Sequence, residues 1–170
     1  MATTTPDCIR ATINIVDRLM ESEWYNYKQS GLQLAPIYLK VNQEQEARAK
    51  LFAAFKQCAA DPLPMVRRSA AECLAEITLE CTGTELIQHV KPLLKTLSED
   101  VQDSVRAVSI KAVPMYLHAL AKTAQNTDVV QARKEIFQKF LSVNCTEISW
   151  RTRYVCTDLF SQVIEAYQGY

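Results

Sequence analysis

A proton-transfer or nucleophilic site needs a base and a nucleophile, or paired carboxylates, brought to one place. This sequence supplies few of those parts. Its only histidines are His89 and His118, each isolated in a helical pattern and read as a surface or half-buried side chain. No HExxH, GxSxG or glycine-rich phosphate loop occurs, and no cluster of metal ligands. Asp103-Ser104 reads as the start of a helix, not as a catalytic pair. The six cysteines are Cys8, Cys58, Cys73, Cys81, Cys145 and Cys156, with no CxxC among them. Cys58, Cys73 and Cys156 fall on apolar stripes, where a thiol acts as a small hydrophobe. All six are expected to be free thiols in a reducing compartment, the cytoplasm or the nucleus. Asn144-Cys145-Thr146 spells a glycosylation sequon, but the N-terminus lacks the charged and apolar regions of a signal peptide, so the match reads as coincidence. The reading is of a chain with no enzyme activity and no cofactor.

The charged residues carry a different message. Asp61 precedes Arg67 by six residues, Asp100 precedes Arg106 by six, and Glu147 precedes Arg153 by six. Ser22 and Lys28 give a weaker version of the same spacing. An acid at a turn can cap the helix that follows by accepting backbone N–H groups. An arginine one turn into that helix can reach the acid of its own or an adjacent turn. Stacked units would then form a ladder of alternating charges, with Arg67, Arg106 and Arg153 as structural members.

Those spacings imply repeated elements to hold them. KQSGLQLA from Lys28, RRSAAECL from Arg67, RAVSIKAV from Arg106 and RYVCTDLF from Arg153 align. Each opens on a cation and has a small residue three places on: Gly31, Ala70, Ser109 and Cys156. The cations stand at 28, 67, 106 and 153, in steps of 39, 39 and 47. The polar stretch 122–128 lengthens the last step. Each unit reads as two helices. In the third, Leu86, Ile87, Val90, Leu93, Leu94 and Leu97 make one apolar face, and Val105, Val108, Ala112, Val113, Tyr116, Leu117 and Leu120 make another. The second unit repeats this with Leu51, Phe55 and Cys58, then Val66, Ala70, Cys73, Leu74 and Ile77. The first carries Ile9, Ile13, Val16 and Leu19, and the fourth Val130, Ile136, Phe137, Phe140 and Leu141. Tyr116, Tyr154 and Tyr167 follow the same spacing and are expected to pack. Pro92 and Pro114 lie inside helical patterns and should bend them.

A helix pair of this kind cannot bury both faces alone, so neighbours must stack. The expected fold is an all-α superhelix of about four antiparallel helix pairs. It forms a single array over 1–170, with approximate repeats at 6–40, 43–81, 84–122 and 129–168. With 3 Gly and 6 Pro and 48% apolar residues, neither an all-β domain nor general disorder fits. Zero formal net charge argues against nucleic acid as a partner, since binding it draws on a Lys/Arg excess. No apolar run reaches the roughly 20 residues of a membrane span. So short an array lacks polar end repeats, so an apolar flank, with weak self-association or marginal stability, is expected.

Paired helices of about this length, with an acid in the turn and an arginine in the second helix, resemble HEAT repeats. DPLPMVRRSAAECL (61–74), EDVQDSVRAVSIKAV (99–113) and SWRTRYVCTDLF (149–160) resemble consecutive repeats of the scaffold (regulatory A) subunit of serine/threonine protein phosphatase 2A. EWYNYKQSGLQL (23–34) is similar to the repeat before them. The resemblance covers roughly residues 20–170; the loop at 122–128 departs from the usual spacing. That scaffold has many more repeats than four, so the resemblance implies a segment from its N-terminal half. It implies a horseshoe whose intra-repeat turns hold a variable regulatory subunit. The catalytic subunit would be held through C-terminal repeats absent here. On that reading the expected contact residues are Trp24, Tyr25, Leu63, Pro64, Met65, Arg68, Gln102, Trp150 and Arg151, at the starts of second helices. Trp and Arg are enriched at interface hot spots. The bland alternatives are that the tryptophans pack on neighbouring turns and that Arg68 is merely solvated. A HEAT-type adaptor for transport or cytoskeletal partners is the other function this pattern allows.

Overall fold

The computed structural model describes residues 6–124 and 126–168. Gln125 and the side chains of Cys8, Ile9 and Asn144 lie outside the described residues. All regular structure among these residues is helical. Helices α1 (Pro6–Met20) and α2 (Tyr25–Val41) form a first hairpin, and α3 (Gln45–Ala59) and α4 (Pro64–Leu79) a second. A third runs through α5 (Gly83–Glu85), a π-helical turn (Leu86–Val90) and α6 (Lys91–Ser98), then returns through α7 (Asp103–Ser109) and α8 (Ala112–Ala121). The fourth pairs α9 (Thr127–Thr146) with α10 (Trp150–Asp158) and α11 (Phe160–Gln168).

The apolar stripes meet in one continuous core. Leu51, Phe55, Val66, Leu74, Ile77, Leu97, Val105, Tyr116, Leu117 and Leu120 are each at most 1% exposed. The small residue three places after each cation marks where the helices of a hairpin cross. At Gly31 an added Cβ would stand 2.6 Å from Met20 Cγ and 3.1 Å from Leu19 Cβ. Ala70, Ser109 and Cys156 fill the equivalent places with no exposed surface. The second helices pack closely along the array: α2 on α4, α4 on α7 and α8, α7 on α10, α8 on α11. The first helices meet their counterparts more sparsely. A stack splayed in one layer and tight in the other curves toward the tight layer, so the second helices line the inside.

Four sequence expectations change. In the last hairpin Val129 is the buried residue (3%), while Val130 is 52% exposed; two adjacent valines fit the stripe almost equally, and the helix start at Thr127 decides between them. Tyr154 is 66% exposed, because it stands on the solvent side of α10, at the place exposed Arg68 holds on α4. Tyr116 and Tyr167 do pack, the latter stacked on Phe137 at 4.1 Å. The prolines do more than bend. Pro92 has no N–H for the Gln88 carbonyl, and the chain before it widens into the π-helical turn, closed by Lys91 N–H on Leu86 O. Pro114 likewise cannot bond Ile110, and the helix divides there into α7 and α8. Finally, the turn acids do not cap the second helices directly; they bond the turns that precede them.

Candidate interaction ridge

The turns inside the four hairpins share one backbone geometry. Trp24, Leu63, Gln102 and Ser149 precede α2, α4, α7 and α10 with φ between −67° and −90° and ψ between 118° and 124°. None uses its side chain as a cap. The residue two places earlier acts instead, on the turn. Asp61 Oδ1 accepts the Leu63 N–H at 2.9 Å, Asp100 Oδ1 the Gln102 N–H at 2.9 Å, and Glu147 Oε1 the Ser149 N–H at 3.0 Å. Ser22 Oγ accepts the Trp24 N–H at 3.2 Å in the first turn. A short polar side chain folding back on its own backbone fixes a turn, and an acid leaves one oxygen over for a second partner.

That second partner belongs to the hairpin before. Lys28 Nζ lies 2.6 Å from Asp61 Oδ2. Arg67 donates from Nε and Nη2 to Asp100 at 2.6 and 2.9 Å. Arg106 donates from the same pair of nitrogens to Glu147, both at 3.0 Å. The third arm of each arginine stays at home. Nη1 of Arg67 bonds Asp61 O and Pro62 O, that of Arg106 bonds Asp100 O and Val101 O, and that of Arg153 bonds Glu147 O and Ile148 O. So the Arg67 and Arg106 guanidinium groups each span two turns: each closes its own and clamps the next through a planar fork that matches a carboxylate. Burial works against the charged form of Asp61 and Asp100, yet the Lys28 ammonium, the Arg67 guanidinium and the backbone donors outweigh it. Both carboxyls titrate below their ordinary value. The Arg106 fork holds Glu147 below its ordinary value too.

Above this seam the turns present their side chains to solvent. Trp24 is 69% exposed and Trp150 64%; neither packs into a neighbouring turn. Tyr25, Leu63, Pro64, Met65, Gln102 and Arg151 are exposed as well. The two tryptophans stand in different registers, Trp24 as the residue before α2 and Trp150 as the first residue of α10. Arg151 lies 5.4 Å from the centre of the Trp150 ring and 3.5 Å from Asp103. Arg68 pairs with Glu72 along α4 at 3.0 Å. Sequence reasoning passed over the most exposed members, Val101 at 85% and Ile148 at 93%. The signal was available: each directly follows a ladder acid, where a residue with no burial role has no reason to be apolar.

A second network, along the opposite edge, was also missed. Arg48 is 5% exposed and donates to Glu85 at 2.7 and 2.8 Å, and to the carbonyls of Leu39, Asn42 and Glu80. It ties α2, α3, α4 and α5 together. Glu85 also closes a capping box with Thr82. Among the described residues no group of three or more His, Cys, Asp or Glu could hold a metal ion, and no helix is long and apolar enough to cross a membrane.

Comparison with known proteins agrees with this architecture. A sequence profile of the HEAT repeat matches residues 51–81. The chain is 29% identical over 143 residues to the regulatory A subunit of protein phosphatase PP2A from Schizosaccharomyces pombe, covering 84% of this chain and 23% of that protein. It is 19% identical over 166 residues to the Saccharomyces cerevisiae protein of the same name, covering 92% of this chain and 25% of that one. A Caenorhabditis elegans protein named as a probable serine/threonine-protein phosphatase PP2A regulatory subunit is 29% identical over 101 residues, covering 59% of this chain and 17% of that protein. The chain therefore spans a quarter or less of the length of these curated relatives.

Proposed function

We propose that this chain, a HEAT-repeat array similar over most of its length to phosphatase PP2A regulatory A subunits, is a non-catalytic scaffold segment of such a phosphatase complex. Its intra-repeat turns grip a variable regulatory subunit. The observation that carries this reading is the contrast at the turns. The backbone and the charges beneath are fixed by the ladder, while large apolar side chains above them face solvent with nothing to cover them. A rigid rail of Trp, Ile, Val, Leu and Met costs little ordering entropy on binding, which is what a docking surface needs. The compartment is reducing, cytoplasmic or nuclear, in keeping with buried Cys58, Cys73 and Cys156 left as thiols.

The test is capture of phosphatase regulatory subunits by the immobilised chain. Trp150→Ala with Arg68→Glu, and separately Val101→Asp with Ile148→Asp, should each weaken capture tenfold or more while leaving the melting temperature unchanged. A hot-spot tryptophan alone contributes about 2 kcal/mol or more. Unchanged capture in both variants would remove the ridge from the interface. Recovery of tubulin or a small GTPase in place of phosphatase subunits would move the chain to the adaptor class.

A further inference from the structure

We propose that the array bends at the junction between its third and fourth hairpins. There the first-helix layer opens about the ridge as a pivot, with two exposed ion pairs as its latch. The inference rests on how the two layers are joined and does not depend on the identity of the partner.

On the ridge side this junction is pinned several times over. Arg106 holds Glu147 through two hydrogen bonds, Ser149 Oγ donates to Asp103 at 2.9 Å, and α10 and α11 pack on α7 and α8. On the outer side α9 rests along its inner edge on α8 and touches the π-helical turn, but leaves a groove of about 500 Å³ against α6. Ile87, Pro92 and Ile136 floor that groove. What crosses it is Lys91 to Glu135 at 2.7 Å and Lys139 to Glu99 at 3.0 Å. All four side chains are between 31% and 47% exposed.

The neighbouring junction is built differently. Between the second and third hairpins the outer layer is stitched by buried Arg48 on Glu85 and by the Phe52 and His89 rings, stacked at 4.4 Å. Salt does not reach a guanidinium that is 5% exposed. The first junction, bridged by Lys50 to Asp17 and Glu21, is exposed like the third, but there α1 packs on α3 more extensively than α9 packs on the π-helical turn. The consequence for a scaffold is direct. Curvature can adapt while the spacing of the turns at 100–103 and 147–150, set by the rung beneath them, stays constant.

Spin-label distances would test this in the full chain, with Cys8 and Cys145 changed to serine. One pair, Thr96→Cys with Gln138→Cys, spans α6 and α9. A second, Lys111→Cys with Asp158→Cys, spans the inner layer of the same junction. A third, Gln57→Cys with Thr96→Cys, spans the Arg48 seam. Raising salt from about 0.1 M to about 1 M shortens the screening length from about 10 Å to about 3 Å. The first distance should lengthen and broaden, and the other two should hold. Lys91→Met with Lys139→Met should reproduce the high-salt distribution at low salt. A first distance that ignores both salt and the double variant would overturn the proposal, as would three distances that move together.

Discussion

Replacing Asp100 with alanine should destabilise the fold by about 3 kcal/mol, far more than a surface ion pair is worth. Asp100 accepts two hydrogen bonds from Arg67 and one from the Gln102 N–H, at 2.6, 2.9 and 2.9 Å. Its side chain is 7% exposed and that of Arg67 12%. An exposed pair contributes about 0.2–1 kcal/mol, whereas stripping one partner from a buried pair costs about 3–5 kcal/mol because a desolvated charge is left behind. The low end applies, since Arg67 keeps the Asp61 and Pro62 carbonyls on Nη1. With a urea slope of about 2 kcal/mol per molar, the midpoint should fall by about 1.5 M. Arg67→Met should cost a similar amount, and the double variant about 2 kcal/mol less than the sum. The pH dependence follows from the lowered carboxyl. A group whose folded pKa lies below its unfolded value contributes fully above the unfolded value, about 3.9 for Asp, and loses that contribution as pH falls through the folded one. The gap between wild type and Asp100→Ala should therefore be full at pH 7 and narrow below about pH 4. A gap under about 0.5 kcal/mol at pH 7, simple additivity in the double variant, or a gap that persists unchanged in acid would refute the ladder as an energetic element.

Other expectations follow from single sites. Arg48→Met should cost about 3 kcal/mol or more by calorimetry, because it unties four helices and leaves Glu85 and three carbonyls without their donor. Thr152→Val should raise stability by about 1 kcal/mol: its hydroxyl is buried without a hydrogen-bond partner at a position that Val66 and Val105 fill in earlier repeats. Among the described cysteines, a thiol reagent at pH 7 should modify exposed Cys145 first. Cys58 and Cys156, pushed by burial up to about 11, and Cys73 and Cys81, pushed up to about 12, should react only on unfolding. Rapid labelling of Cys73 in the native chain would contradict its place in the core.

Much of this molecule is written in one dimension. Helical period, the recurrence of a cation and a small residue, and the six-residue offset between acid and arginine are local properties, and each survives translation along the chain. They determine two helices per unit, the crossing point at Gly31, Ala70, Ser109 and Cys156, and the residues available for a ladder. Choices that depend on a neighbour in space are not recoverable from spacing. Whether Arg67 takes the acid of its own turn or of the next depends on how far one hairpin is displaced from another, and the fork goes to Asp100 because the tight inner layer brings that turn within reach. Val129 and Val130 are interchangeable until the start of α9 fixes which faces the core. Arg48 looks like any surface cation in sequence, and becomes a buried clamp only where the ends of α2 and α4 converge on it. The same dependence governs the outer seams, where two exposed lysine–glutamate pairs stand at the third junction and a buried clamp at the second.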